Sequence, residues 1–401
     1  MLAWRNLWRN ARRTAITVVS VGSGLTGLLL GQSLIETIQV QLVDKATGVH
    51  TGHIQVLESK VADMKFPDRY IDDPDAVERV LRGTANVAAF QRRLVVTGLV
   101  SSKTESAGVM ISGVEPGRDS KVLRMATYLK AGKGLTPGDG AYLGDALAAQ
   151  LGVKLGDELV LMATAADGSM GAELARVEGL FHSGSRTFDT ALLYVDVEKV
   201  QRLLSVEGRV NGFVLRLEDA TKIAATRARL AAALEGLPLK ASTWEEIDYE
   251  LVGIRDYQDA LLRILLGVVF VIVALGILNT LLMSMYERVR EFGLLMALGA
   301  RREFIARLVV AESVLIGSLG AGLGLLGGSA LILYFARQGL ELPVKDAVNF
   351  FMPFDSLLYL RFDWGRHLVA LGAVFATCVL AGLPPALRAM KLKPAEALRH
   401  L

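Results

Sequence analysis

With 401 residues, 52% of them hydrophobic, 21% charged and a mean hydropathy of +0.39, the chain is too apolar to be a purely soluble enzyme. Its formal net charge of +3 hides a split: residues 37–262 hold 26 Lys+Arg against 31 Asp+Glu, and the remainder holds 18 against 10. The excess positive charge therefore flanks apolar segments rather than forming a nucleic-acid surface, and the single cysteine, Cys378, excludes an intrachain disulfide.

The chain opens on Arg5, Arg9, Arg12 and Arg13 with no acidic neighbour, while Trp4, Leu7, Trp8 and Ala11 share one helical face. This pattern predicts a short helix lying in the membrane interface. Residues 14–35 then run for 22 positions without a charge. About 20 apolar residues suffice to cross ~30 Å of hydrocarbon as a helix. The stretch exceeds the apolar region of a secretory leader, and no small-residue cleavage site follows at Ile35-Glu36-Thr37, so an uncleaved span is expected. Three further uncharged stretches, 264–286, 313–336 and 368–387, complete four predicted transmembrane helices.

The N-terminal arginines, the five arginines of 287–312 and the tail residues Arg388, Lys391, Lys393 and Arg399 all place their segments on the cytoplasmic side. Both termini are then cytoplasmic and the long segment after the first span lies outside. The predicted fold is an α-helical membrane protein of four transmembrane helices with a mixed α/β extracytoplasmic domain inserted between the first and second. Residues 1–38 form the interfacial helix and first span, 39–258 the α/β domain, and 259–401 the remaining spans with an inner loop and a short C-terminal helix.

Within the inserted domain, strand-like runs are read at 53–57, 93–100, 109–114, 157–162, 191–195 and 212–217, and helical runs at 74–82, 142–151, 197–205 and 221–234. Asp72, Asp73 and Asp75 read as a solvated helix start. Ser242 with Glu245 reads as a capping box opening a helix that runs unbroken from Trp244 into the second span. Gly27 and Gly31, and Gly320, Gly324 and Gly328, repeat at a spacing that lets helices approach closely in lipid. That spacing serves packing within one chain or between two equally well. Asn279 reads as interhelical glue. The absence of Asp, Glu, Lys or Arg in mid-span argues against an ion-coupled transporter.

Catalytic, cofactor and metal sites are not expected. His50 and His53 form an H-x-x-H pair without further metal-ligating support, and Gly132-Lys133-Gly134 lacks the spacing and hydroxyl of a nucleotide-binding loop. The most informative stretch is the inner loop, 287–305. It reads as an amphipathic helix, a Gly299 cap and a second helix opened by Arg301. Such an element offers Phe292, Leu295 and Met296 as apolar contacts and Glu287, Arg288, Arg290, Glu291 and Arg301 as charged ones. Residue chemistry alone leaves it either a membrane-surface connector or a docking element.

The run E-R-x-R-E-F-G-x-x-x-A-L-G-A, from Glu287 to Ala300, resembles the signature of ABC transporter permeases related to macrolide efflux, lipoprotein release and cell division. The closing Pro385-Ala386-Leu387-Arg388-Ala389 and Lys393-Pro394-Ala395-Glu396-Ala397-Leu398-Arg399 resemble that family's terminal motif. Thr51-Gly52-His53-Ile54-Gln55-Val56, which reads as a plausible edge strand, and the stretch from Leu147 to Leu161 resemble the lipoprotein-releasing branch.

The resemblance implies a multi-pass protein of the bacterial inner membrane whose 287–305 element docks on a separate ABC ATPase. Two ATPase copies would bind ATP and Mg²⁺, and a second permease copy or sister chain would complete the spans. A periplasmic carrier or adaptor and membrane lipids are the further implied partners. Leu34 and Ile38 on the first span and Leu261, Leu265 and Val268 on the second would line the substrate path. The alternatives are a mechanotransmission permease that passes no substrate between its own spans, and a scaffold or sensor.

Overall fold

The computed structural model describes Trp4, Arg9 and residues 11–62, 69–341 and 357–392. The terminal motif beyond Leu392 lies outside the described residues. The chain divides into two units: one holds residues up to Ile38, from Arg255 and from Leu357 onward, and the other holds Gln39–Ile254.

The first unit is built on four long helices, Ala11–Ala46, Tyr249–Glu287, Arg302–Gln338 and Trp364–Met390. Each is long and apolar enough to cross a membrane. Val21, Leu25, Leu29, Ile277, Leu281, Ile316, Val374 and Cys378 fill the space between them. Glycine decides how closely the third helix approaches its neighbours. A Cβ at Gly320 would lie 2.6 Å from Val21 Cβ, and one at Gly324 would lie 2.7 Å from both Gly22 O and Leu25 Cβ. Gly328 abuts Leu29, and Gly317 faces Cys378 of the fourth helix. This stripe therefore packs inside one chain, whereas Gly27 and Gly31 have nothing within 4 Å of their Cβ positions. Thr17 and Thr280 share a 2.8 Å hydroxyl hydrogen bond, and Thr26 donates to Gly324 O at 3.2 Å. Asn279, expected to bridge helices, is exposed and hydrogen-bonds to none of the described residues.

The second unit is a mixed sheet of ten described strands: β1 Ile54–Glu58, β2 Val87–Ser101, β3 Ser106–Val114, β4 Leu129–Gly132, β5 Gly140–Gly144, β6 Glu158–Thr164, β7 Met170–Phe181, β8 Leu192–Asp196, β9 Gly212–Leu217 and β10 Leu239–Thr243. Its order is β10-β1-β9-β2-β3-β8-β5-β7-β4, with β6 pairing β2 and β7. Only β3 with β8 and β5 with β7 are parallel among these pairs. Leu94, Val109, Ile111, Leu143, Leu161, Val177, Val195 and Leu215 supply the main core, under helices that include Pro74–Gly83, Asp145–Leu151 and Val197–Leu204. Asp73 caps the first of these by accepting from Ala76 N at 3.0 Å.

Four readings are corrected. The run beginning at Tyr142 is strand until Gly144 and helix only from Asp145, because Tyr142 and Leu143 pair with β8. β1 is an interior strand between β10 and β9, so the run Thr51–Val56 does not supply an edge. The capping box is Thr243 with Glu246, one residue later than expected. It opens only the short helix Trp244–Ile247; Asp248 interrupts it before the long helix starts at Tyr249. β7, the 12-residue partner of three strands, was not legible as a strand.

Candidate functional site

The 287–305 loop begins where the second long helix ends at Glu287. Arg288 leaves helical geometry, and a nine-residue helix, Val289–Ala297, follows. Leu298 closes it, and Gly299 takes φ +96°, the left-handed region in which a side chain would be strained. Ala300 N then donates to Leu295 O at 2.9 Å and Gly299 N to Met296 O at 3.0 Å, which satisfies the last carbonyls. Arg301 is the N-cap of the third long helix. The helix, glycine cap and second helix expected from residues 287–305 are all present.

The faces of that helix are not as expected. Phe292 is 1% exposed and packs with Met285, Ile305, Leu308, Val309, Ala386 and Ala389, so it anchors the loop to its own chain instead of offering a ring to a partner. Leu295 and Met296 are half-buried against the same cluster. The apolar side chains that face outward are Leu294 at 54%, Leu298 at 78% and Phe304 at 45% exposure, beside exposed Arg290 and Arg301. Sequence reasoning missed this trio. Its signal was the spacing Arg290, Leu294, Leu298: Leu294 and Leu298 fall on the polar face of V-R-E-F-G-L-L-M-A beside Arg290 and Glu291, opposite Phe292.

The charged residues form a network. Arg288 is buried; its Nη1 donates to Glu312 Oε1 at 2.7 Å and its Nε to Glu291 Oε2 at 3.0 Å, while the guanidinium stands 5.0 Å from the Phe292 ring centroid. Arg9 Nη1 donates to Glu291 Oε1 at 2.6 Å, and Arg13 lies 3.5 Å from Glu287. Burial disfavours a charged Glu291, but the hydrogen bonds from Arg9 and Arg288 outweigh it and hold its carboxyl below the usual range. Arg288 and Glu291, expected as outward contacts, thus serve an internal clamp.

The residues expected to line a substrate path differ in their surroundings. Leu34 packs against the helix core and Ile38 is half-buried. Leu261, Leu265 and Val268 are about half exposed along one face of the second long helix.

In the α/β unit a groove of about 330 Å³ is lined by His50, Gln55, Leu57, Arg93, Val95 and Val214 among others. Arg93 donates from Nε to Ser112 Oγ at 3.1 Å, and its Nη2 meets His50 Nδ1 at 2.6 Å. His53 Nδ1 accepts from Leu217 N at 3.0 Å. The two histidines of the H-x-x-H pair are therefore engaged separately. Among the described residues, Asp145, His182 and Asp189 have the donor set a metal ion could use. Lys130 already donates to Asp145 at 2.6 Å and Ser183 Oγ to Asp189 at 2.7 Å, which accounts for their convergence without an ion.

Four membrane-length helices with an α/β domain inserted after the first define a multi-pass membrane protein of permease architecture. A family model described as a MacB-like periplasmic core domain matches residues 14–233, more than half the chain, and one described as an FtsX-like permease C-terminal region matches residues 263–394. The chain belongs to this family of ABC transporter permeases. The lipoprotein-releasing system transmembrane protein LolC of Xylella fastidiosa (strain Temecula1) is 26% identical over 304 residues, 73% of either chain. LolC of Neisseria meningitidis serogroup B is 23% identical over 415 aligned positions, covering 98% of this chain and 96% of the relative. The crystal structure of the periplasmic region of MacB from Actinobacillus actinomycetemcomitans aligns with a TM-score of 0.36 and 12% identity, over 52% of this chain and 97% of that one.

Proposed function

We propose that the chain is the membrane-spanning subunit of an inner-membrane ABC transporter that extracts a lipid-anchored or amphiphilic substrate, a lipoprotein, from the outer leaflet. The observation that carries this reading is the likeness to LolC along nearly the whole length of both chains. Both termini and the 287–305 element face the cytoplasm in this reading. Two ATPase copies, which hold ATP and Mg²⁺, dock on that element, and a second permease copy or a sister chain completes the transporter. Leu294, Leu298 and Phe304 are the apolar docking face and Arg290 and Arg301 its charged rim, because these side chains are exposed. Phe292 and the Arg288–Glu312 pair join the loop to the third and fourth helices, so force applied to the loop moves those helices. The exposed stripe of Leu261, Leu265 and Val268, with Leu34 and Ile38, suits acyl chains, and a periplasmic carrier or adaptor receives the product.

The test is reconstitution of the chain with its ATPase in liposomes loaded with a triacylated protein. ATP-dependent transfer of that protein to a soluble acceptor is expected. The MacB-like model over residues 14–233 favours a second reading, mechanotransmission to an efflux duct. ATPase stimulation by small drugs, with lipoproteins neither bound nor released, selects that reading instead.

A further inference from the structure

Arg216, on β9, is a cation without an acceptor among the described residues. Its Nη1 is buried and makes no hydrogen bond, and it has no ion pair among the described residues. Arg216 as a whole is half-buried, but a buried guanidinium N–H ordinarily finds an acceptor. The nearest charges make the imbalance worse. Arg124 lies close enough to repel Arg216, and Asp44, with a smaller part from Tyr128, offsets it. Arg124 gives Nη2 to Asp44 Oδ1, and its own Nε is also buried with no acceptor. Two guanidiniums thus face one carboxylate.

Further donors gather at the same place. Tyr128 ends the turn Met125–Tyr128 that Arg124 precedes. A Cβ added at Gly48 would lie 3.3 Å from Tyr128 Oη and 3.5 Å from both Arg124 Nε and Nη2, so hydroxyl and guanidinium converge on one spot that Gly48 leaves open. His53 stands beside Arg216: its Nδ1 accepts from the N–H of Leu217, which leaves the hydrogen on Nε2 as a donor. Burial, then Arg216 and Arg124, lower its pKa to about 4, so the neutral donor form is the one present near these cations.

We propose that Arg216, Arg124 and Tyr128 form a binding site for a phosphate oxyanion. The surplus of one positive charge matches a singly charged phosphate or phosphodiester. Guanidinium forks bind phosphate in bidentate fashion, and donors arriving from β9, from the 125–128 turn and from His53 suit a tetrahedral anion better than a planar carboxylate, which one guanidinium would satisfy. The anion is either free phosphate or the headgroup of an anionic phospholipid.

The full-length chain in neutral detergent is titrated with inorganic phosphate by calorimetry, with chloride holding the ionic strength constant. In parallel, native mass spectrometry counts the phospholipids retained from phosphatidylcholine nanodiscs with and without phosphatidylglycerol. Arg216→Gln and Arg124→Gln should weaken binding by about tenfold or more, as expected for loss of a charge-assisted pair. Arg229→Gln, the same charge change at an exposed residue elsewhere on the unit, should leave it intact. Loss in the phosphate arm identifies a free anion, and loss in the phosphatidylglycerol arm a headgroup. The proposal is overturned if neither arm separates Arg216→Gln from Arg229→Gln. A second measurement guards against misfolding: removing an unpaired cation should not lower thermal stability in phosphate-free buffer. An Arg216→Gln chain that unfolds earlier without phosphate would show that Arg216 is satisfied by the protein itself, which also overturns the site.

Discussion

Phe292 and Leu294 stand two residues apart on the same short helix and have opposite surroundings, one buried and one exposed. Phe292 fills the cluster under the loop, so Phe292→Ala should cost about 3–5 kcal/mol of stability, the usual range for a buried ring. Leu294 and Leu298 are exposed, so Leu294→Ala with Leu298→Ala should leave the unfolding midpoint nearly unchanged and weaken ATPase retention in a pull-down. A double variant that retains the ATPase like the parent would remove the docking face. Glu291→Lys belongs with Phe292: it breaks the Arg9–Glu291–Arg288 clamp and places a third cation between two others. The same scale governs pH. Burial and Arg93 lower the His50 pKa, and burial with Arg216 and Arg124 lowers that of His53 to about 4. Each is easier to protonate in the unfolded chain, whose value is 6.5, so their contribution is complete above pH 6.5 and is lost as pH falls below it, for His53 toward 4. Unfolding midpoints should drop across that window, and His53→Gln should flatten the drop. An unaltered slope in both His53→Gln and His50→Gln would assign the acid sensitivity elsewhere.

Between elements, the third long helix depends on small residues. Gly324 leaves no room for a side chain against Gly22 and Leu25, so Gly324→Val should cost about 1–3 kcal/mol through forced separation of two helices. A Cβ at Gly27 has none of the described residues within 4 Å, so a loss caused by Gly27→Val beyond its change in helix propensity reports on a neighbouring subunit or lipid. Detergent-unfolding midpoints of the two variants make the comparison; equal losses would place both faces inside the subunit. In the sheet, the interior position of β1 comes from register with both β9 and β10, strands drawn from residues more than 150 positions later. No local pattern reports such a pairing.

For the whole molecule, the charge asymmetry of the short loops predicts orientation. In a Cys378→Ser background, cysteines at Lys154 and Gln338 should react with a membrane-impermeant thiol reagent added outside cells lacking an outer barrier, and one at Arg301 should not. Labelling at Arg301 would invert the topology and remove the 287–305 element from reach of any cytoplasmic ATPase.

Quantities that add up along the chain were settled by sequence alone. About 20 consecutive uncharged residues suffice for a membrane-length helix whatever surrounds them, and a left-handed cap needs only Gly299 at the end of an apolar run. The four helices, the domain inserted after the first, and the helix–glycine–helix loop therefore appear where they were expected. Choices between equivalent local options were left to the tertiary structure. The helix Val289–Ala297 is amphipathic, with Leu294 beside Arg290 and Glu291, but only packing against Ile305, Leu308 and Ala386 shows that the face of Phe292 is covered by its own chain and not by a partner. Glycines four apart look alike in both helices, and only the approach of Val21, Leu25 and Leu29 makes one stripe an intrachain seam. An arginine reads the same paired or unpaired. Arg288 meets Glu312 from 24 residues away, while Arg216 is left facing Arg124, because charge pairing depends on distances that only the folded chain defines.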